Sequence, residues 1–235
     1  MTDLSAFIGH RSQAATVLDE VRRCGYARLR WDAALRLDDL AGLFTEDAAR
    51  ISHDMEAQAE GSGAYAHLTD DAIVPLRPVM EDLYDAAHLH LHGDDGGPWP
   101  SSLEGLWTRC REAGQTESAV LALEHGPGGY NSLHDDSYGA VTFPVQAVLL
   151  LSRPGADFSG GRFVLEVSGP DHPPEVVVPQ FRHGELLLIR ATSVIASGAV
   201  RRVRHGVSQV HSGHRRSVGM VFHLARPPGD HVTAG

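Results

Sequence analysis

Apolar positions follow a helical period in the first half of the chain and a strand period in the second half. The pattern predicts helices over residues 12–23, 38–51, 73–91 and 103–111. Gly25 can end the first of these helices, and residues 25–29 predict a short strand after it. The glycine-rich stretch 61–70 predicts a loop.

From residue 119 onward, short apolar segments alternate with glycine and proline turns. Strands are predicted over residues 119–124, 146–152, 162–167, 185–190, 203–210 and 216–224. Short strands punctuated in this way are typical of a β-sandwich or barrel. We therefore predict a mainly β fold with flanking helices, in which a double-stranded β-helix (jelly roll) has the N-terminal helices packed outside. A single domain, 1–235, is expected to comprise a helical support region, 1–118, and a jelly-roll core, 119–225.

Composition is that of a globular protein, with 42% hydrophobic and 21% charged residues among 235. The formal net charge of −10 does not favour strong non-specific binding of nucleic acid, which depends on cations that neutralise phosphates. A local basic patch is still conceivable, because several arginines cluster late in the chain. These are Arg201, Arg202, Arg204, Arg215 and Arg216.

The cysteine pattern and the hydropathy indicate a compartment. Cys24 and Cys110 show no metal-binding spacing and form no disulfide framework, which suits a reducing environment. The N-terminus lacks an apolar signal core, and no apolar run is long enough to span a bilayer. We expect a cytoplasmic protein without a membrane segment.

Three side chains suggest a metal centre. His134 and Asp136 lie two positions apart, so on an extended chain they project to the same side. His205 must come from a separate, later strand. Two imidazoles and one carboxylate are the donors of the facial triad that binds non-haem Fe(II) and leaves coordination positions open. Because the chain has 15 histidines, a chance His-x-Asp is unremarkable, and surface residues are the alternative interpretation.

The last predicted strand adds an independent signal. One face carries Arg215, Ser217, Gly219, Val221 and His223, whereas the other face is largely apolar. An arginine binds a carboxylate through two parallel hydrogen bonds, and a neighbouring hydroxyl adds a donor. Such a face can hold the distal carboxylate of a keto acid bound to the same iron. This second signal favours the metal site over the surface interpretation.

The residues that carry these signals resemble a known family. Residues 125–136, 143–165 and 204–223 are similar to bacterial 2-oxoglutarate/Fe(II) oxygenases, in particular to a bacterial group labelled AlkB-like. The resemblance is strong over roughly 120–225 and traceable upstream at 61–65 and 110–115. It implies a double-stranded β-helix, His134, Asp136 and His205 as iron ligands, and 2-oxoglutarate anchored by Arg215 and Ser217.

Two residues near the metal depart from the pattern of that group. Asp135 stands between the ligands where glutamine is common, and His125 stands where tyrosine is common before the Gly-Pro-Gly turn. His125 either takes over a cosubstrate contact from that tyrosine or faces the substrate. The candidate substrate wall is Tyr65, Trp107, Tyr130, Asn131 and Tyr138, although each aromatic residue is equally compatible with packing.

Three functions remain open from the sequence. The favoured one is a dioxygenase that uses Fe(II), 2-oxoglutarate and O2 to hydroxylate a C–H bond of a small-molecule or amino-acid-like substrate, with succinate and CO2 as coproducts. The second is AlkB-like oxidative demethylation of damaged nucleic acid, which needs a cationic groove and stacking aromatics. The third is a non-enzymatic jelly-roll binding protein. Halogenation is disfavoured, because the carboxylate ligand is present as Asp136.

Overall fold

The computed structural model describes most of the chain. The described residues are 2–30, 37–56, 61–91, 97–136, 139–169, 172–191, 194–196 and 199–227. Two β-sheets face each other in this part of the chain, and helices cover the outer side of the larger sheet. The predicted jelly roll with helices packed outside is confirmed.

The helices lie in the first half of the described chain. They are α1 (Leu4–Gly9), α2 (Arg11–Cys24), α3 (Arg77–His88) and α4 (Leu103–Glu112), with 3-10 helices at Leu37–Phe44 and Glu46–Ala48. Gly25 ends α2 in the left-handed conformation, and its N–H donates to the carbonyl of Val21 at 2.8 Å. Ser102 caps α4 by accepting a hydrogen bond from the N–H of Gly105. No helix in the described residues is long and apolar enough to cross a lipid bilayer.

Strands run along the whole described chain and are divided between the sheets. They are β1 (Thr2–Asp3), β2 (Tyr26–Arg30), β3 (Ala49–Asp54), β4 (Gly61–Ser62), β5 (Ala64–Leu68), β6 (Val120–His125), β7 (Tyr130–His134), β8 (Val145–Leu150), β9 (Phe158–Gly160), β10 (Phe163–Gly169), β11 (His172–Val177), β12 (Glu185–Arg190), β13 (Val194–Ala196), β14 (Ala199–Val207), β15 (Val210–Gly213) and β16 (Arg215–Val221).

The larger sheet has the order β1-β2-β12-β8-β16-β6-β5-β3. Its central strands are buried on both faces, because alternate side chains point to different layers. On β8, Ala147 and Leu149 pack with the helices, whereas Val148 packs with the opposite sheet. On β16, Val218 and Met220 belong to the helix side. The opposite face of β16 is thereby turned into the jelly roll.

The smaller sheet has the order β11-β10-β14-β7-β4, with β13 paired to β14, and β15 pairs with β9 separately. Its inner face contributes Phe163, Leu165, Val203 and Val207 to a second apolar cluster between the sheets. This layer positions β7 and β14, the two strands that carry the candidate histidine ligands.

The sequence prediction was wrong at residues 49–51 and over residues 61–68. Residues 49–51 were assigned to a helix and 61–70 to a loop, yet these segments form β3, β4 and β5. Strand β5 pairs with β6 and β4 pairs with β7, so both are held by partners far along the chain. Such tertiary pairing overrides the local glycine signal. The region upstream of residue 119 therefore adds strands to both sheets as well as helices.

Candidate active site

Three predicted metal ligands meet at the end of β7. His134 and His205 are paired residues of adjacent strands, and Asp136 follows just beyond β7. His134 Nε2 lies 3.6 Å from Asp136 Oδ1, and His205 Nε2 lies 3.3 Å from Asp136 Oδ2. All three ligand atoms lie within 4.8 Å of one another. Two imidazoles and one carboxylate at this spacing fit the donor set for non-haem Fe(II).

Neighbouring groups fix the orientation of both rings. The Nδ1–H of His134 donates to the carbonyl of Ser132 at 2.8 Å, which leaves the Nε2 lone pair free for a metal. His205 stacks on Phe163, with ring centroids 5.6 Å apart and planes at 20°. Burial lowers the pKa of His205 to about 4, so its imidazole is neutral at pH 7 and can act as a ligand.

His223 supports the backbone of Asp136 from behind. Its Nδ1 accepts a hydrogen bond from the N–H of Phe143 at 3.3 Å, and its ring also bonds the backbone of Asp136. Burial lowers the pKa of His223 to about 4, in agreement with a neutral ring that accepts at one nitrogen. The sequence placed His223 on the face of Arg215 but assigned it no role.

Arg215 is a buried cation without a carboxylate partner among the described residues. Its side chain is only 1% exposed. Its Nε donates to the carbonyl of Gly161 at 3.0 Å, and Nη1 donates to Ser217 Oγ at 2.8 Å. Burial lowers the pKa of Arg215 to about 10, which still leaves it charged at pH 7. A buried, unpaired charge is costly, and an anionic ligand would relieve that cost.

Gly161 is required for this arrangement. It has φ of +55°, a region that disfavours side chains, and an added Cβ would lie 3.1 Å from Arg215 Cδ. The glycine therefore lets the backbone carbonyl approach the guanidinium closely.

One narrow cavity, about 40 Å³ in volume, joins the candidate ligands to the guanidinium. His134, Asp136 and His205 line it together with Arg215 and Ser217. Asn131 and Gln146 add amide groups, and most of the remaining wall is apolar. Gly219 removes bulk from this wall, as its position in the sequence indicated. A space of this size holds about one water molecule, so a keto acid requires lining side chains to move apart.

The predicted substrate wall is only partly assembled. Asn131 lines the cavity, and Tyr130 beside it is 43% exposed. Tyr65 is half-buried on β5 and meets His67 edge-on. Trp107 is corrected to a packing residue, because it is buried in the helix-side core and its Nε1 donates to the carbonyl of Phe222 at 2.9 Å. Tyr138 lies outside the described residues.

His125 lies directly across from Arg215 in the pairing of β6 with β16. Its ring is fully buried, and neither nitrogen has a hydrogen-bond partner among the described residues. It does not belong to the cavity wall defined above. Burial, followed by the charge of Arg215, lowers the pKa of His125 to about 3, so the ring is neutral at pH 7.

This burial predicts a loss of stability in acid. In the unfolded chain His125 becomes protonated below its ordinary pKa of 6.5, whereas in the folded protein it stays neutral down to about pH 3. The free energy of unfolding therefore falls as the pH falls from 6.5 to about 3. The contribution at pH 5 is about 2 kcal/mol. Urea unfolding at pH 7 and pH 5 should show a smaller pH effect for His125→Gln than for wild type. The exposed His10→Gln variant should lose as much unfolding free energy between pH 7 and pH 5 as wild type does. An equally large loss in His125→Gln would contradict the prediction.

Three of the late arginines form ion pairs with carboxylates in the described structure. Arg202 binds Asp135 at 3.0 Å, Arg204 binds Glu166 at 2.5 Å, and Arg216 binds Glu124 at 2.7 Å. These ion pairs occupy cations that a nucleic-acid strand would need. Asp135 stands where glutamine is common in the group, and its carboxylate pairs with Arg202. It is therefore not one of the clustered metal-ligand candidates, unlike its neighbour Asp136.

Residues 75–225, more than half of the chain, match a family described as an oxygenase catalysing oxidative methylation of damaged DNA. The chain belongs to this oxygenase family. The cluster of His134, Asp136 and His205 provides the donors for a non-haem iron centre, in agreement with an oxygenase.

Two mycobacterial proteins are similar in sequence to the oxygenase. Uncharacterized proteins of two Mycobacterium tuberculosis strains, CDC 1551/Oshkosh and H37Rv, are 39% identical over 133 residues, which cover 54% of this chain and 57% of theirs. The oxygenase thus spans little more than half the length of these curated relatives.

Solved structures show the same fold. A 2OG-Fe(II) oxygenase family oxidoreductase from Burkholderia pseudomallei has a TM-score of 0.52 and 16% identity, with 94% of this chain and 95% of that chain covered. A prolyl hydroxylase from Trichoplax adhaerens, solved with a hypoxia inducible factor peptide, has a TM-score of 0.53 and 14% identity, with 89% and 88% covered. At these identities the likeness concerns the fold alone.

Proposed function

We propose that the oxygenase hydroxylates a C–H bond of a small-molecule or amino-acid-like substrate, with succinate and CO2 as coproducts. The observation that carries this proposal is the cavity itself. It has three metal-binding side chains on one wall and a buried, carboxylate-free arginine on another. A dicarboxylate keto acid satisfies both walls at once.

In this proposal His134, Asp136 and His205 hold Fe(II). The ring orientations support it, because His134 donates from Nδ1 to a backbone carbonyl and directs Nε2 toward Asp136, while His205 is neutral. When bound, the iron supplies O2 activation coupled to the oxidative decarboxylation of 2-oxoglutarate. The protein fixes the donors, excludes bulk water and orients the reactants.

Arg215 and Ser217 bind the distal carboxylate of 2-oxoglutarate. The guanidinium has spare N–H donors beyond those used by Gly161 and Ser217, and charge-assisted hydrogen bonds of this kind are the strong ones. His125 lies outside the cavity wall, and it is proposed as a neutral donor that the carboxylate reaches when the lining side chains move apart, because its ring is buried, unpartnered among the described residues and opposite Arg215. Asn131 and Tyr130 remain the proposed substrate contacts where β7 runs from the cavity to the surface.

Demethylation of damaged nucleic acid is the second candidate, and the description of the family favours it. Two observations favour a small substrate instead. The net charge is −10, and three late arginines are paired with carboxylates. Membership in an oxygenase family gives no support to a non-enzymatic binding protein.

The first experiment is anaerobic addition of Fe(II) and 2-oxoglutarate to the purified protein. A visible metal-to-ligand charge-transfer band is expected, and its absence would overturn the proposal. In air, succinate release is then compared between a pool of amino acids and small metabolites and a methylated single-stranded oligonucleotide. Stimulation by the pool supports the small substrate, whereas stimulation by the oligonucleotide alone supports the second candidate.

A further inference from the structure

Gln146 is a buried amide whose hydrogen-bonding groups are unused. The side chain is 2% exposed, and neither Oε1 nor Nε2 has a hydrogen-bond partner among the described residues. Both atoms lie in an otherwise apolar strand, between Val145 and Ala147. An amide buried without partners costs free energy, so its retention indicates a ligand that pairs with it.

The side chain opens into the cavity that holds the three metal-binding side chains and Arg215. Since the amide is closed off from the surface, only a molecule inside this cavity can reach it. This burial distinguishes Gln146 from Tyr130, which is exposed and suited to a group that approaches from outside.

The strand register places Gln146 at the metal end of the cavity. On β8, Leu150 pairs with Ser217, whereas Gln146 pairs with Val221. These two positions are about 13 Å apart along the strand. Arg215 therefore belongs to the Leu150 end.

The opposite end of β16 lies near the backbone of Asp136, whose carboxylate is a candidate metal ligand. His223, two residues beyond Val221, bonds the backbone of Asp136. Gln146 and Asp136 thus share the end of the cavity that is remote from the guanidinium, where the keto-acid head of 2-oxoglutarate must bind if its tail is held by Arg215.

We infer that Gln146 binds the keto-acid head of the cosubstrate, with Nε2 as the donor to a head-group oxygen. The inference rests on the proposed function. It makes Gln146 a second anchor that acts on the opposite end of the molecule from Arg215. An amide suits this place because it donates without adding charge beside the metal.

The test is anaerobic titration of the Fe(II)-loaded protein, followed through the charge-transfer band. Two keto acids are compared: 2-oxoglutarate and 2-oxovalerate, which lacks the distal carboxylate. Gln146→Leu keeps the side-chain volume and removes the hydrogen bond. It is expected to lower the affinity for both keto acids by the same factor, about 10- to 100-fold. Gln146→Glu places an anion beside the head group and is expected to weaken both further. The exposed Gln13→Leu serves as the matched control and should bind as wild type does.

Thermal unfolding without ligand separates a binding role from a structural one. Removing an unpaired amide is expected to leave the Tm of Gln146→Leu equal to or above that of wild type. A Tm several degrees lower would assign Gln146 to the fold and overturn the inference. Loss of 2-oxoglutarate affinity alone, with 2-oxovalerate unaffected, would also overturn it, since the residue would then act on the tail.

Failure of the inference differs from failure of the proposed function. If wild type forms the ternary complex and Gln146→Leu binds both keto acids equally well, only the assignment of Gln146 is wrong. If wild type forms no complex with either keto acid, the function and the assignment are wrong together.

Discussion

Replacing Asp136 with alanine is expected to lower Fe(II) affinity by more than about 100-fold and to reduce succinate formation to background. Changes to groups that merely support a metal ligand cost about 10- to 100-fold, so loss of a ligand exceeds that range. The buried carboxylate also stands between the two imidazoles, at 3.6 Å and 3.3 Å, and its removal leaves only two donors. Anaerobic Fe(II) titration with and without 2-oxoglutarate measures the effect.

The neighbouring Asp135→Ala is the matched control. It removes a carboxylate of the same type, from a residue whose side chain pairs with Arg202 at the surface. Surface ion pairs contribute about 0–1 kcal/mol, so Fe(II) binding should remain near wild type. If Asp135→Ala abolished binding and Asp136→Ala did not, the ligand assignment would be reversed.

Arg215→Met is expected to lower the affinity for 2-oxoglutarate by about 30-fold or more, while the affinity for Fe(II) stays unchanged. Methionine fills much of the same volume but provides neither charge nor donors. Truncating one partner of a buried, hydrogen-bonded charge pair costs roughly 2–5 kcal/mol, which gives this factor. Isothermal titration of the Fe(II)-loaded protein with 2-oxoglutarate under argon would provide the number.

Arg216→Met controls for the loss of an arginine at the adjacent position. Arg216 lies on the other face of β16, where it pairs with Glu124. Its loss should leave 2-oxoglutarate binding intact. If both variants lowered the affinity for 2-oxoglutarate equally, the net charge of the protein and not the buried guanidinium of Arg215 would govern binding. Arg215 would then not be the anchor of the distal carboxylate.

Much of the centre was predictable because its signals depend on strand periodicity alone. His134 and Asp136 share a side through their spacing, and Arg215 and Ser217 share the inner face of β16 for the same reason. The pairing of His134 with His205 was not predictable in detail, since register between distant strands depends on the whole sheet.

The misses have physical causes as well. Strands β4 and β5 form because β7 and β6 offer them free edges, and β3 in turn pairs with β5; no local pattern records such partners. Trp107 was proposed for the substrate wall because aromatic residues serve binding and packing equally, and the sequence does not distinguish the two. Gln146 left a usable signal in the sequence, since it is a single amide inside an apolar strand.

The buried guanidinium of Arg215 also makes the thermal stability of the protein depend on the ligand concentration around it. With no acidic side chain of the described residues beside it, the folded state carries an uncompensated charge until a dicarboxylate arrives. Ligands that bind only the native state raise its melting temperature in proportion to the logarithm of their concentration. Resistance to heat and to proteases should therefore rise with the concentration of a dicarboxylate that binds Arg215.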